Sequence, residues 1–366
     1  MNVIGSLVDI LPEQSTHIAV LEGADKFGLN KCDPEIIELL VQGVHERGAV
    51  PEVIAAKSKG EPGRPLMPEE FLYALRACDV FVNCTYDITW EEFRDLKDEG
   101  NARGVTVCRN FLNTVELLKT PWAHTSYKLL SEIRYQATKP FGTGGQKYTL
   151  KSSDGTDISG RILPPQKKKN GENTVVEYAM YRTEQSGGYR PFPEWICPPI
   201  SIGDTEGVVV FSKTHNWWAD YLGIDCNFTE PAVATIEKGM VKAVKGGKEA
   251  GVIWSFMKSL EPFYGEEAFR FRAFHVGVNP VAQETAEMLR NKRLKRLVDH
   301  TDTGTVHVHI CELPRCEQFP YRVHLTADLN DADLCIGDEY IVRKGHMAAL
   351  DSEPVRDLAQ KEGFEF

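Results

Sequence analysis

Five of the ten histidines in this chain fall within one segment of the sequence, residues 271–338. Imidazole nitrogens bind transition metals, and they also take up and release protons near neutral pH. A segment this rich in histidine is therefore a candidate metal centre or acid–base site. The five residues are His275, His300, His307, His309 and His324.

Two of these histidines lie in an alternating pattern, TVHVHI, at residues 305–310. Successive side chains of a β-strand point to opposite faces, so the valines would face a core. His307 and His309 would then share the other face, about 6.8 Å apart along the strand. The same period places His324 and Thr326 on one face of a second strand. A single histidine on a strand is most often an ordinary polar residue, but imidazoles from neighbouring strands can complete a metal shell.

Composition and charge narrow the class of protein. The chain has 366 residues, of which 42% are hydrophobic and 26% charged, as in a globular protein of two domains. A net charge of −11 argues against binding to nucleic acid or to an anionic membrane surface. We expect no signal peptide and no membrane span, because the sequence contains neither pattern.

Cysteine usage indicates a reducing compartment. Nine cysteines are scattered without the spacing of a disulfide framework, which predicts a cytoplasmic protein. Cys311 and Cys316 could form half of a zinc site. No second pair with ligand spacing follows them, so we predict free thiols.

The first third of the chain alternates strands and helices, which predicts a mostly parallel sheet covered by helices over residues 1–145. Asp33 and Pro34 suit the start of the first helix. No Gly-x-Gly-x-x-Gly motif follows the first strand, so we predict no nucleotide cofactor. The predicted strands are 17–21, 50–55, 80–84 and 105–108, and the predicted helices are 34–48, 68–76 and 90–99.

The rest of the chain is richer in strands and turns. Residues 113–138 are predicted to be helical with a break near Pro121, and residues 163–173 to be a polar loop that contains the basic run 167–169. The predicted fold class is α/β: an N-terminal domain with a mostly parallel sheet, then a strand-rich α+β domain, 146–366, that carries the metal site. Further strands are expected at 148–152, 158–162, 207–211 and 232–236, with turns at Asp154-Gly155 and Lys238-Gly239.

The order of several motifs resembles one superfamily over most of the chain, most clearly from residue 149 onward. This superfamily contains the thermophilic aminopeptidases T and S and the ring-opening 2,5-dihydroxypyridine dioxygenases. The resemblance implies a metal-dependent enzyme. It is carried by GTDIS (155–159), FPEWICPP (192–199), TEGVVVF (205–211), IEKGMVKAVKGGKEA (236–250), FHVGVNP (274–280), GTVHVHI (304–310) and VHLTADLNDADLCIGD (323–338).

The resemblance also implies roles for particular residues. Glu194 matches a peptidase carboxylate, and His307 matches a peptidase ligand on the next strand. His275 stands where the peptidases have glutamate, as in the dioxygenase branch. His324 matches the histidine of a His-x-Asp pair, but Thr326 replaces the aspartate. The site is thus richer in imidazole and poorer in carboxylate than a two-zinc peptidase site.

These positions predict one divalent transition metal, with Fe(II) favoured and Zn(II) or Mn(II) as alternatives. We predict His275, His307 and His324 as ligands and His309 as a catalytic base, with the roles of His307 and His309 open to exchange. Thr326 is predicted to lie beside the metal and contact an anionic substrate.

Three functions fit this pattern. The first is a non-haem iron dioxygenase that opens a small hydroxylated aromatic or N-heterocyclic ring. The second is a metallohydrolase in which Glu194 acts as general base, and the third is a binding protein without activity. We expect a small-molecule substrate, no nucleic-acid or membrane partner, and a homo-oligomer. An aromatic cluster could stack on a planar substrate or could instead pack in the core: Trp195, Trp217, Trp218 and Tyr221.

Overall fold

The structure is a computed structural model. The residues that it describes are 11, 17–24, 32–57, 59–61, 64–66, 69–84, 105–169, 172–175, 177–179, 189–193, 199–319 and 322–365. The predicted helix at 90–99 lies outside these residues.

Twenty strands and nine α-helices are described. The strands are β1 (His17–Ala24), β2 (Val50–Lys57), β3 (Lys59–Glu61), β4 (Arg64–Leu66), β5 (Val80–Asn83), β6 (Thr106–Asn110), β7 (Lys147–Lys151), β8 (Asp157–Ile162), β9 (Gln166–Lys169), β10 (Glu172–Val175), β11 (Tyr189–Phe192), β12 (Ile200–Lys213), β13 (Asn227–Glu237), β14 (Met240–Lys245), β15 (Ala273–Val276), β16 (Val306–Leu313), β17 (Val323–Leu329), β18 (Asp333–Ile336), β19 (Glu339–Arg343) and β20 (His346–Met347). The helices are α1 (Pro34–Glu46), α2 (Glu69–Ala77), α3 (Val115–Leu118), α4 (Tyr127–Thr138), α5 (Asn216–Leu222), α6 (Lys248–Tyr264), α7 (Ala282–Met288), α8 (Lys292–Asp299) and α9 (Glu353–Glu362).

The N-terminal sheet is parallel, as predicted. Its five strands lie in the order β11-β6-β5-β1-β2. Helix α1 buries Ile36, Leu40 and Val44 at helical spacing, which is the face that the sequence pattern indicates. Asp33 occupies the N-cap position of α1, but its carboxylate accepts a hydrogen bond from the backbone N–H of Val115 (2.8 Å) rather than capping the helix.

The C-terminal sheet is antiparallel and has eleven strands. Its main path runs β17-β16-β15-β12-β8-β7-β18-β19-β20, and β13 joins β12 to β14. The long strand β12 pairs with β15 near its start and with β8 and β13 farther along. It therefore links the histidine-bearing strands at one end of the sheet to the hairpins in the middle. The predicted fold class is confirmed.

The structure has two hydrophobic cores, and later segments of the chain contribute to the core of the N-terminal sheet. One core lies under the C-terminal sheet, and the other lies around the N-terminal sheet. The second core also receives Ala282 from α7, Leu294 and Leu297 from α8, and Phe192 from β11. The loop that follows α8 therefore runs from the N-terminal core toward the histidine strands.

Most local predictions are confirmed, with one correction. The break near Pro121 appears as a 3-10 helix, Pro121–His124, between α3 and α4. The β7–β8 hairpin surrounds the predicted Asp154-Gly155 turn. The predicted loop at 163–173 is wrong in part, because β9 and β10 form an antiparallel pair there. In the sequence, Asn170-Gly171 lies between these two segments, and this dipeptide is a strong hairpin signal that the polar composition of the segment obscures.

Two further expectations concern helices and cysteines. No helix among the described residues is both long enough and apolar enough to cross a membrane. Cys311 and Cys316 are free thiols, as predicted.

Candidate metal centre

The histidines are positioned by three adjacent antiparallel strands, β15, β16 and β17. In their register His275 lies opposite His307, His307 opposite Asp328, and His309 opposite Thr326. Side chains directly opposite one another in paired strands share a face. One face of this sheet therefore carries the polar groups. The other face packs into the C-terminal core with the predicted apolar residues Val306, Val308 and Ile310.

A bulge in β16 places a carboxylate on the polar face. The register shifts between His309 and Cys311, so that Glu312 lies opposite His324. Without the bulge, residue 311 would follow 307 and 309 on that face. With the extra residue, Ile310 and Cys311 both pack into the core, and Glu312 turns toward the imidazoles.

Three imidazoles form the first group of candidate ligands, called here the three-histidine cluster: His275, His309 and His324. Each offers a ring nitrogen, and these atoms all lie within 4.8 Å of one another. The ring centroid of His309 lies 4.5 Å from that of His275 and 4.4 Å from that of His324. The Nε2 atoms of His275 and His309 are in direct contact. The His309 side chain is 1% exposed and that of His324 is 31% exposed, so the cluster is open to solvent on the His324 side.

Glu312 holds one of these imidazoles in place. Its Oε2 accepts a hydrogen bond of 2.6 Å from His309 Nδ1, and its Oε1 is paired with Arg322. Burial alone would raise the pKa of Glu312, but the attraction and hydrogen bond from His309, together with His324 and Arg322, hold that pKa well below its usual value. The carboxylate therefore stays ionised. A proton on Nδ1 leaves the Nε2 lone pair of His309 directed into the cluster, as in a carboxylate–histidine–metal arrangement.

The three-histidine cluster fits a transition metal by the chemistry of its donors. Neutral imidazole nitrogens suit zinc, iron and copper, and three ligands leave positions open for substrate or water. The supporting carboxylate, Glu312, fixes both the tautomer and the ring orientation of His309. The Nε2 atoms of His275 and His309 point at one another, so both could bind the same ion.

A second group, called here the His–Asp cluster, lies beside the first and deeper in the protein. It consists of His300, His307 and Asp328, whose candidate ligand atoms again lie within 4.8 Å of one another. His300 Nδ1 lies 2.8 Å from Asp328 Oδ2, and the His300 and His307 ring centroids are 3.9 Å apart. The ring centroids of His307 and His275 are 5.0 Å apart, so the two clusters adjoin. Arg296 forms an ion pair with Asp328.

Burial governs the protonation of the deeper histidines. It lowers the pKa of His215, His300 and His307 well below the usual value, and neighbouring histidines and Arg296 lower it further. His215 belongs to this group because its ring packs edge-on against His300, with centroids 4.6 Å apart. These three imidazoles are therefore neutral at pH 7.

The metal-free protein should lose stability as the pH falls below about 6.5. The unfolded chain binds a proton on each of the three deeper histidines near that pH, whereas the folded chain binds them only at much lower pH. Each histidine then removes up to about 1.4 kcal/mol of unfolding free energy per pH unit. Urea unfolding at about pH 7.5 and about pH 5.5 measures the effect, and His300→Gln should give a shallower dependence. Equal stability at the two pH values would contradict the assigned burial.

The predicted metal ligands fall into two different clusters. His275 and His324 lie in the three-histidine cluster together with His309, whereas His307 lies in the His–Asp cluster. Thr326 lies opposite His309 and is buried at 2% exposure. Its hydroxyl has no hydrogen-bond partner among the described residues. Glu194 and Trp195 lie outside the described residues, so their predicted roles stay predictions.

The remaining aromatic residues take the alternative role of core packing where they are described. Trp218 is 1% exposed, and its ring packs against Tyr221 and Phe256 at centroid distances of 5.1 and 5.4 Å. The side chain of Trp217 is not among those described.

Sequence reasoning missed the supporting residues Glu312, Asp328 and Arg296. Asp328 could have been found, because it continues the alternation of His324 and Thr326 along β17. Glu312 could not, since a strict period of two places it on the opposite face from His309 until the bulge is known. Arg296 comes from α8, and no local pattern connects it to the strands.

Comparison with known proteins supports the fold. No family model and no curated protein matches the sequence. Among solved structures, 2,5-dihydroxypyridine dioxygenase from Pseudomonas putida KT2440 is similar, with a TM-score of 0.61 and 15% sequence identity. The similarity covers 97% of this chain and 98% of that one. The chain therefore has the fold of 2,5-dihydroxypyridine dioxygenase, and the predicted resemblance is confirmed at the level of the fold.

Proposed function

We propose that the protein is a mononuclear metalloenzyme, with Fe(II) as the favoured ion, that cleaves a small hydroxylated aromatic or N-heterocyclic ring with dioxygen. The observation that carries the proposal is the convergence of three imidazole nitrogens in the three-histidine cluster. The likeness to a dioxygenase over nearly the whole chain supports the choice of reaction.

The protein's own residues would divide the work as follows. His275, His309 and His324 hold the ion, and Glu312 fixes the His309 ring through its Nδ1 proton. In this proposal His309, rather than His307, is the third ligand, because Glu312 directs its lone pair into the cluster. When bound, a ferrous ion would supply open positions for a hydroxylated substrate and for dioxygen. Substrate would approach from the side of His324, whose ring is the most exposed of the three.

A cleft of about 1010 Å³ lies next to Glu312 rather than next to the three imidazoles themselves, and it has room for a small-molecule substrate. Glu312 and Arg322 line it, so the wall of the cleft touches the residue that orients His309. Arg270 and Arg272 line the same cleft, and both bond to Glu267. This basic lining suits a substrate that carries a phenolate or carboxylate.

The carboxylates beside the imidazoles favour oxidation over hydrolysis. Glu312 bonds to His309 and Arg322, and Asp328 bonds to His300 and Arg296. A general base must be available to take a proton from metal-bound water, but both oxygens of Glu312 are already engaged, and Asp328 lies in the other cluster. Hydrolysis would therefore depend on Glu194, which the resemblance places at a peptidase carboxylate.

Oxygen uptake by the metal-loaded protein tests the proposal. Protein purified without oxygen and loaded with Fe(II) should consume dioxygen with 2,5-dihydroxypyridine or a related hydroxylated ring acid, and the ring absorbance should disappear. His275→Ala should abolish uptake, whereas His346→Ala should not, because His346 is exposed and bonds to Asp351 outside the cluster. No uptake, together with release of amine from aminoacyl amides by the Zn(II) or Mn(II) form, would establish the hydrolase instead.

Substitutions at Thr326 test whether residue 326 faces the bound ion. Thr326→Asp should raise metal affinity, because it adds an anionic donor beside the imidazoles, and should weaken binding of an anionic substrate. Thr326→Val is the matched control: it removes a buried hydroxyl that has no partner among the described residues, so metal affinity should not change. Isothermal titration with metal and then with an anionic hydroxypyridine acid measures both effects. A Thr326→Asp variant with unchanged affinity for both would show that residue 326 does not face the ion.

A further inference from the structure

The His–Asp cluster has the donors of a metal site but already contains a positive charge. Two imidazoles and one carboxylate, His300, His307 and Asp328, bring ligand atoms within 4.8 Å of one another. The Arg296 side chain, 1% exposed, forms an ion pair with Asp328, whose own side chain is 0% exposed. A guanidinium cannot lose its proton in a protein. The cluster therefore always contains one fixed cation.

Several candidate ligand atoms in this cluster have no hydrogen-bond partner among the described residues. Neither ring nitrogen of His307 has a partner among the described residues, although the residue is 0% exposed. Asp328 Oδ1 likewise has none, and it lies 3.7 Å from His307 Nδ1. That separation is too long for a hydrogen bond, but it is close to the spacing of two ligands on one ion at about 2.0–2.2 Å from each.

We propose that the His–Asp cluster is a latent second metal site that Arg296 closes, so that the protein binds one metal ion per chain rather than two. The guanidinium supplies beside Asp328 the positive charge that a second ion would otherwise supply. A divalent ion among these ligands would lie within a few ångströms of Arg296, in an interior where repulsion is weakly screened. Arg296 thus sets the metal stoichiometry of the centre.

The surroundings of Arg296 show that it is held at this position. Its Nε donates to the backbone carbonyl of Thr214 (3.2 Å), and it also forms an ion pair with Asp299. Lys213 Nζ lies 3.1 Å from the same Asp299 carboxylate. Two cations and two anions, including Asp328, therefore balance without a metal. Removing the charge of Arg296 leaves a net negative charge, and a divalent ion can then bind with less repulsion.

Counting bound Co(II) in Arg296 variants tests this proposal. Co(II) is titrated into metal-free protein, visible absorption reports ligand binding, and elemental analysis gives the number of ions per chain. Wild type should bind one ion. Arg296→Met, which keeps the length of the side chain without its charge, should bind two, and Arg296→Lys should bind one because the cation is retained. Arg296→Met/His300→Ala should return to one, since it removes a ligand from the second site only.

The outcomes separate this proposal from the proposed function. An Arg296→Met protein that binds no more Co(II) than wild type would overturn the proposal, and so would a wild-type protein that already binds two ions. The wild-type count does not depend on the folding of any variant, and Arg296→Gln gives a second neutral side chain. If wild type bound no ion while Arg296→Met bound one that His300→Ala removes, the second site would stand and the three-histidine centre would fail.

Discussion

Replacing His309 with alanine is expected to abolish metal binding at the three-histidine cluster, whereas replacing His307 with alanine should leave one ion bound. His309 contacts His275 and His324 and is oriented by Glu312, while His307 belongs to the His–Asp cluster. Loss of a direct ligand should exceed the about 10–100-fold loss of affinity that follows removal of a supporting residue. Metal content after purification and competition with a chelator measure both variants.

This pair of variants also decides between the two histidines that the sequence leaves equivalent. Each variant removes a buried imidazole from the same strand, so each serves as a control for the other's effect on folding. Circular dichroism should show a folded protein in both cases. Loss of metal in His307→Ala with full occupancy in His309→Ala would reverse the assignment and contradict the structure of the cluster.

Replacing Glu312 with glutamine is expected to cause the second large effect, a loss of metal affinity. Glutamine keeps the size of the side chain but loses the charge that holds the His309 Nδ1 proton and pairs with Arg322. Metal affinity should fall about 10–100-fold, as for other carboxylates that support a histidine ligand. Titration of the metal-free variant with Fe(II) or Co(II) gives the change in affinity directly.

A matched control for this variant is Glu267→Gln. Like Glu312, Glu267 is a carboxylate that forms ion pairs near the cleft, in its case with Arg270 and Arg272. Unlike Glu312, it is not paired with an imidazole of the cluster. Its loss should therefore leave metal affinity unchanged. An equal loss of affinity in both variants would mean that general charge near the cleft, and not orientation of His309, is responsible.

The sequence is sufficient to predict the architecture because local patterns and tertiary packing agree over most of the chain. The apolar period of α1, the Asp154-Gly155 hairpin and the alternation in β16 each select one element and one buried face. The resemblance to a superfamily that includes 2,5-dihydroxypyridine dioxygenases matches the fold that the structure shows.

The composition of the site is harder to predict because it depends on two features without a local signal. A bulge at Ile310 and Cys311 changes which later residue faces the imidazoles, and nothing in the sequence of β16 marks it. The partition of His307 and His309 into different clusters depends on neighbours from other segments, including His300 at the end of α8. Spacing alone shows that the two imidazoles share a face, but not which ion, if any, each would reach.

Anomalous X-ray diffraction from crystals of protein purified without oxygen tests the central claim most directly. Data collected on either side of the iron absorption edge would both locate and identify a bound ion. We predict one iron peak, at bonding distance from ring nitrogens of His275, His309 and His324. A peak bound by His307 and Asp328 instead, or no peak within reach of the three-histidine cluster, would contradict the proposed centre.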